Sequence, residues 1–259
     1  MASVPEIFQT MAYGPAPEGV GPATQWLEAH GRRFGLFIGG KWTSVGGETF
    51  ETLNPANGKP LARLTQATAA DVDRAIRAAR ADFPDFRIFH GTEADILPDG
   101  SIDYGDDFLG NFDLVVASVH SRFALPRDEQ TKRLIRAVEN PRVSVLGHLT
   151  GRLLLTRKGI DVDVEAVLDA AARSGCAVEI NGSPHRLDLD WRFCRAAAEK
   201  GLLFSIGPDA HSVKELEYTA YAVGIARKGW VTPASTLNAK SAEDLAAWLE
   251  RRRGTPLPR

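Results

Sequence analysis

Three of the six histidines follow short apolar runs of the kind found in buried strands. These are His120, His148 and His211. Two carboxylates accompany them: Glu93 lies within another such run, and Asp209 comes two residues before His211. Imidazole nitrogens and carboxylate oxygens are common ligands of Zn, Mn or Fe. If the strand ends meet, the pattern predicts a metal site.

Bound metal ions of this kind can hold a phosphate, lower the pKa of a bound water and stabilise a leaving oxygen. A metal-dependent phosphoesterase is therefore one interpretation of the five residues. The alternative for any single histidine is a structural role, because a histidine after a strand is more often hydrogen-bonded within the fold. The occurrence of three such histidines together with two carboxylates favours the metal site.

The elements that must position these residues alternate between strand and helix. Apolar runs predict strands at residues 86–97, 112–119, 143–146, 177–180 and 202–206. Amphipathic segments predict helices at residues 129–139, 164–173, 191–200, 213–228 and, after a capping box at Ser241, up to about residue 252. This alternation predicts an α/β fold with a parallel sheet, either a barrel or a doubly wound sheet. In a parallel barrel the carboxyl ends of the strands share one rim, which is where active sites form.

Composition narrows the class of protein. A chain of 259 residues with a formal net charge of −2 has no overall basic field that would indicate nucleic acid binding. The two cysteines, Cys176 and Cys194, are too few for a disulfide framework. No apolar run is long enough to span a bilayer, and no secretory signal is recognisable at the start of the sequence. We expect a cytoplasmic protein that does not bind membranes.

Six strings carry a family resemblance: GTEADILPDGSIDY (91–104), DLVVASVHS (113–121), VLGHLTGRLL (145–154), AVEINGSPHRLDL (177–189), SIGPDAH (205–211) and GIARKGW (224–230). In order and spacing they resemble the carboxyl-terminal part of the PHP (polymerase and histidinol phosphatase) domain of bacterial family X DNA polymerases. The resemblance covers residues 86–259 and implies a distorted β/α barrel with a metal cluster at one rim, here a partial barrel. It also implies phosphoester hydrolysis, including 3′-5′ exonuclease and 3′-phosphatase activity on DNA ends.

The resemblance assigns roles to individual residues. It implies that Glu93 bridges metal ions, with Zn or Mn expected, and that four further residues are ligands: His120, His148, Asp209 and His211. Glu93, His120 and Asp209 would be the catalytic residues.

Three further residues are candidates for substrate binding. Arg152 and Arg186 could contact phosphate through their guanidinium groups. Alternatively, either arginine pairs with a carboxylate at the rim, such as Asp188. Asn181 could orient ligands or close a turn.

The first part of the chain resembles a different family. The strings YGPAPE (13–18), WLEAHGRRFGLFIGGKW (26–42), LNPANGKPLARL (53–64) and DVDRAIRAAR (71–80) resemble the start of an aldehyde dehydrogenase, over about residues 8–83. We expect a hairpin around Gly39-Gly40, a strand at residues 50–53 and a helix capped by Thr68. The predicted domains are an α+β segment at 1–85 and the PHP-type segment at 86–259.

The PHP pattern begins with a His-x-His pair on the first barrel strand, and another histidine comes before the Glu strand; this sequence contains neither. Activity could therefore be weak or lost. The alternatives are a non-catalytic chimeric remnant and a protein related to aldehyde dehydrogenases. Without the first barrel strands, the strand containing Glu93 would also leave an open sheet edge, which favours oligomerisation.

Overall fold

A computed structural model of the chain describes residues 21–54 and 57–258. The loop and the YGPAPE string predicted before residue 21 lie outside the described residues. The chain divides after Ile88 into two compact units, called here the amino-terminal unit and the carboxyl-terminal unit. No helix in the described parts of the chain is long and apolar enough to cross a membrane.

The described residues of the amino-terminal unit form two helices and five short strands. They are α1 (Gly21–Ala29), β1 (Arg33–Phe34), β2 (Phe37–Ile38), β3 (Lys41–Trp42), β4 (Thr49–Leu53), β5 (Pro60–Thr65) and α2 (Ala69–Asp82). Strand β5 pairs in parallel with β1 and antiparallel with β4. The predicted hairpin is confirmed: β2 and β3 pair antiparallel around Gly39 and Gly40, whose φ angles of 57° and 72° suit glycine.

The predicted hairpin and helix cap form in this unit, but few of its described side chains are buried. Thr68 and Asp71 form the predicted capping box at the start of α2. Helix α2 nevertheless has no buried residue. Among the described apolar residues before residue 89, only Phe34 and Ala62 are buried.

Between residues 89 and 258 the carboxyl-terminal unit forms five strands and six α-helices. They are β6 (Gly91–Asp95), α3 (Asp106–Leu109), β7 (Leu114–Ser118), α4 (Arg127–Glu139), β8 (Val145–Leu146), α5 (Val164–Ser174), β9 (Ala177–Asn181), α6 (Trp191–Glu199), β10 (Phe204–Gly207), α7 (Thr219–Lys228) and α8 (Ala242–Arg253). Short 3₁₀ helices lie at Lys214–Tyr218, Pro233–Ser235 and Leu237–Ala239.

The five strands form one parallel sheet in the order β10-β9-β8-β7-β6. Neighbouring strands are therefore consecutive in the chain, and the α/β class predicted from the alternation is confirmed. A large apolar core joins the sheet to the helices that pack with it, with Leu134, Ile180 and Phe204 fully buried. Helices α5 and α8 begin at side-chain caps, in which Asp163 and Ser241 accept backbone N–H groups.

The two edges of this sheet differ. At the β10 edge, the Ile206 amide donates to the Asn238 side chain at 2.7 Å, and the Asn238 amide donates back to the Ile206 carbonyl at 3.0 Å. Thr236 adds a parallel bridge to Phe204. Among the described residues, β6 pairs with β7 and has no second strand partner.

Two predicted elements differ from the structure. The strand predicted at residues 86–97 is shorter in the structure, where it covers Gly91–Asp95. Before it the chain makes a turn, in which the Phe86 amide donates to the Phe83 carbonyl. The helix predicted at residues 213–228 is interrupted, since its first turn is a 3₁₀ helix.

Candidate functional site

Sheet order brings three of the predicted residues to one place. Glu93 lies on β6. His120 lies two residues after the end of β7, and His148 lies two residues after the end of β8. Because β6, β7 and β8 are adjacent and parallel, their carboxyl ends lie side by side.

The three side chains converge on one oxygen. Glu93 Oε1 lies 3.6 Å from His120 Nε2 and 3.5 Å from His148 Nε2. The centroids of the two rings are 5.1 Å apart, and the ring planes are inclined at 65°. His148 is buried, whereas Glu93 and His120 are partly open to solvent, so the cluster has one closed and one accessible side.

Glu93 is held in its charged form. The pKa of its carboxyl is lowered to about 2, first because His148 donates to it, and further because Ser118 and the charges of His148 and His120 outweigh the effect of partial burial. A carboxylate that remains ionised is a ready ligand for a cation.

Asp95 contacts the second ring nitrogen of His120. Its Oδ1 lies 2.6 Å from His120 Nδ1, which directs Nε2 towards Glu93. Alternation along a strand places Asp95 on the same face as Glu93. A carboxylate on the second nitrogen of a ligating imidazole is the usual way to fix its tautomer and orientation.

The donor set fits a metal ion. One carboxylate oxygen and two imidazole nitrogens of these residues lie within 4.8 Å of one another. Two ligands bound tetrahedrally at about 2.1 Å from one ion lie roughly 3.4 Å apart, close to the Glu93–His distances. Imidazole with carboxylate suits Zn, Mn or Fe.

Asp209 is not one of the three clustered residues but belongs to a neighbouring hydrogen-bond network. Its Oδ2 accepts from Arg186 Nε at 3.0 Å and from Asn181 Nδ2 at 3.2 Å. Asn181 also donates to Glu179 Oε2 at 3.1 Å, and the same oxygen accepts the His148 amide at 2.8 Å. A chain of hydrogen bonds thus joins Asp209 to the backbone of His148.

Glu179 is almost completely enclosed. Burial raises the pKa of its carboxyl, partly offset by the donors from His148 and Asn181. Gly207 on the next strand leaves room for it, since a Cβ there would lie 2.5 Å from Glu179 Oε1. No side chain larger than glycine fits at position 207 without moving Glu179.

The remaining candidates occupy other environments. The His211 side chain is exposed, and its Nδ1 lies 2.9 Å from the Asp209 carbonyl. Arg152 donates to the carbonyls of Arg186 and Leu187, so it braces a loop. Arg186 pairs with a carboxylate, as one alternative predicted, but the partner is Asp209 and not Asp188.

Arg133 is a buried residue of the site region that the pattern does not single out. It lies on α4 and donates to the carbonyls of Ile96, Leu97 and Ser121. Ile96 and Leu97 come directly after β6, and Ser121 comes directly after His120. The guanidinium therefore ties together the two loops that leave the cluster.

Sequence reasoning did not predict roles for Asp95, Glu179 or Arg133. The first two carried a usable signal, because each lies two residues from a predicted site residue on the same strand face: Asp95 from Glu93, and Glu179 from Asn181. For Arg133 there was no such signal, since an arginine on an amphipathic helix is usually exposed.

Comparison with known proteins gives two kinds of match. The aldehyde dehydrogenase family matches residues 42–95. The DNA polymerase/3′-5′ exonuclease PolX of Bacillus subtilis is 41% identical over 199 residues, which is 77% of this chain and 34% of that protein. The chain thus spans about a third of this longer relative.

Smaller relatives are covered more fully. A probable phosphatase of Shewanella sediminis is 31% identical over 174 residues, or 64% of this chain and 68% of that protein. A probable phosphatase of Thermoanaerobacter sp. is 28% identical over 58% of this chain and 63% of that protein. With these relatives and the six strings in matching order, the chain belongs to the PHP family of phosphoesterases.

Proposed function

We propose that this protein is a metal-dependent phosphoesterase that acts on the 3′ ends of DNA, as an exonuclease or 3′-phosphatase. The observation that carries the proposal is the placement of Glu93 Oε1 between two imidazole nitrogens, at 3.5 and 3.6 Å. The name of the Bacillus subtilis relative supports DNA as the substrate, and the names of the smaller relatives support phosphoester hydrolysis.

Glu93, His120 and His148 would hold the metal, for which Zn or Mn is proposed. The metal would polarise the phosphoryl oxygens and lower the pKa of a water molecule. Within the chain, Asp95 orients His120. Asp209 and His211 are proposed to complete the metal-binding side of the rim.

Arg186 is the stronger candidate for a phosphate contact. Its Nη1 is buried and has no hydrogen-bond partner among the described residues. A buried guanidinium nitrogen without an acceptor is unfavourable, and a phosphate oxygen would satisfy it. Arg152 is the weaker candidate because two of its nitrogens already donate to carbonyls, and Asn181 would orient Asp209.

We also propose that the parallel sheet and its helices form a partial, distorted β/α barrel. Its support is the strand order: consecutive strands are neighbours throughout the parallel sheet, whereas a doubly wound sheet reverses direction at a switch point. The β6 edge would be where the barrel is incomplete. Association of two copies through this edge, and a cytoplasmic location, also remain proposals.

The test is metal content together with hydrolysis. We expect the purified chain to retain Zn or Mn and to release nucleotides or phosphate from a 3′-labelled oligodeoxynucleotide. Glu93→Gln and His120→Ala should each lower turnover by at least about 100-fold and reduce bound metal, since each removes a ligand. Glu129→Gln and His30→Ala are matched controls outside the cluster and should change neither. Wild-type turnover in His120→Ala would exclude the proposed site.

A non-catalytic remnant is the second candidate, favoured by the absence of any His-x-His pair from this sequence. Metal retention without any phosphoester turnover would support it. A dehydrogenase function is disfavoured by the thiols. Cys176 and Cys194 are buried, and burial raises their pKa values to about 11 and about 12, so neither is an activated nucleophile.

A further inference from the structure

The loop after His148 forms a small hairpin, called here the finger (residues 151–158). Leu153 and Arg157 form an antiparallel bridge, with the Leu153 amide donating to the Arg157 carbonyl at 2.9 Å and the reverse bond at 2.8 Å. Leu154, Leu155 and Thr156 make the turn. All three are exposed, and Leu155 is fully so.

Leu155 is unfavourable at this tip for two reasons. Its φ of 63° lies in the left-handed region, where the Cβ of an ordinary side chain crowds the backbone and glycine or asparagine is preferred. Its apolar side chain also gains nothing from burial within the fold. Trp230 shares both features, so what distinguishes Leu155 is its place at the tip of the loop that follows His148.

The finger is firmly attached to the residues of the site. The Gly151 amide donates to the His148 carbonyl at 2.7 Å, and the Leu154 amide donates to the His185 carbonyl at 2.7 Å. Arg157 donates to the Gly151 carbonyl and lies 3.8 Å from the centre of the Phe123 ring. A braced loop with an exposed tip is suited to hold that tip in a fixed position.

A second brace connects the finger to the Asp209 network. Arg152 Nε donates to the Arg186 carbonyl at 2.8 Å, and Arg186 Nε donates to Asp209 at 3.0 Å. The finger is therefore hydrogen-bonded to the His148 carbonyl and, through Arg152, to the residue that pairs with Asp209.

Charge indicates the kind of ligand. The finger contains three cations and no acidic residue; Lys158 is exposed, whereas Arg152 and Arg157 are half-buried and donate to backbone carbonyls. An apolar tip on a cationic base suits a polyanion with flat apolar faces, which describes a nucleic acid strand. Apolar side chains that insert beside bases are a known means of gripping such strands.

We propose that Leu155 contacts a base of the DNA strand whose phosphoester is cleaved, so that the finger selects strands over small phosphate esters. This inference rests on the proposed phosphoesterase function and names a specificity-determining residue for it.

The test compares two substrates and two glycine variants. Leu155→Gly should lower kcat/KM for a single-stranded oligodeoxynucleotide on the order of tenfold, the loss expected for one apolar contact. Hydrolysis of bis(p-nitrophenyl) phosphate should stay within about twofold. The melting temperature should be equal or higher, since glycine relieves the left-handed backbone.

Trp230→Gly is the matched control. Trp230 is also left-handed, with φ of 61°, and 71% exposed, but it lies after α7, outside the finger. Trp230→Gly should leave the hydrolysis of both substrates unchanged. An equal loss on both substrates in Leu155→Gly, or no loss on either, would overturn the proposal.

A binding measurement tests the role of the finger independently of the phosphoesterase activity. Anisotropy of a fluorescent oligodeoxynucleotide measures binding even if neither substrate is hydrolysed, in which case the proposed function fails. Weaker binding by Leu155→Gly would then still support the finger, and equal binding would reject it. Leu155-dependent binding to phosphatidylcholine–phosphatidylglycerol vesicles, with none to the oligonucleotide, would also reject it in favour of a membrane contact.

Discussion

The amino-terminal and carboxyl-terminal units differ in how much side chain they bury. In the former, the described residues bury only Phe34 and Ala62 among apolar positions, and aromatic residues such as Trp26 and Trp42 are half-exposed. The latter has a continuous core across five strands and the helices around them. Local structure is regular in both units, so regular hairpins and caps do not by themselves produce a core.

Buried polar groups show the same contrast. Arg133 is buried in the carboxyl-terminal unit, and its charge is compensated by carbonyls of two loops. Such an arrangement is stable only where the surrounding structure is fixed. In the amino-terminal unit, by contrast, an apolar groove of about 470 Å³ beside Phe34 and Trp42 remains open. The difference indicates that most of the packing that stabilises the described residues lies in the carboxyl-terminal unit.

Separating the two units should give the largest effect. A fragment of residues 89–259 should unfold cooperatively, because it contains the whole core, whereas a fragment of residues 1–88 should show no cooperative transition. Circular dichroism during thermal unfolding measures both. A sharp transition in the shorter fragment would break the comparison.

Core truncation should give an intermediate effect. Leu134→Ala removes a fully buried side chain and should lower the free energy of unfolding by about 2–5 kcal/mol. Phe50→Ala in the amino-terminal unit removes a half-exposed side chain and should change it by less than about 1 kcal/mol.

Thiol labelling in denaturant is a suitable measurement for both variants. Cys176 and Cys194 are buried, and their raised pKa values of about 11 and about 12 suppress the reactive thiolate until the carboxyl-terminal unit opens. Equal shifts of the labelling midpoint in the two variants would contradict the expectation.

Removing helix caps should give the smallest effect. Ser241→Ala deletes the bond from the Asp244 amide, 3.0 Å long, and should lower the free energy of unfolding by about 1 kcal/mol, because α8 contributes Trp248 and Leu249 to the core. Thr68→Ala deletes the equivalent bond in α2, which has no buried residue. It should only fray that helix, as hydrogen exchange would show. A global loss in Thr68→Ala would mean that α2 supports the core after all.

Part of the site could be predicted because its signal is local. His120 and His148 follow apolar strands, and a parallel sheet brings the ends of neighbouring strands together. Asp95 was harder to predict, because its role depends on reaching His120 across 25 residues of chain. The pairing of Asp209 with Arg186 was not predicted, because it depends on the course of the loop after β9, which brings that guanidinium to the carboxylate.

The sequence by itself determined the alternation of strand and helix, the hairpin at Gly39-Gly40, the caps at Thr68 and Ser241, and membership of the PHP family, since all depend on neighbouring residues or on motif order. Only the tertiary structure decided that Glu93 lies between two imidazoles and that Arg133 is buried. It also decided that the described residues of the carboxyl-terminal unit form a continuous core, whereas those of the amino-terminal unit bury few apolar side chains. These features depend on contacts between residues distant in the chain, and the energy of such contacts cannot be computed from local patterns alone.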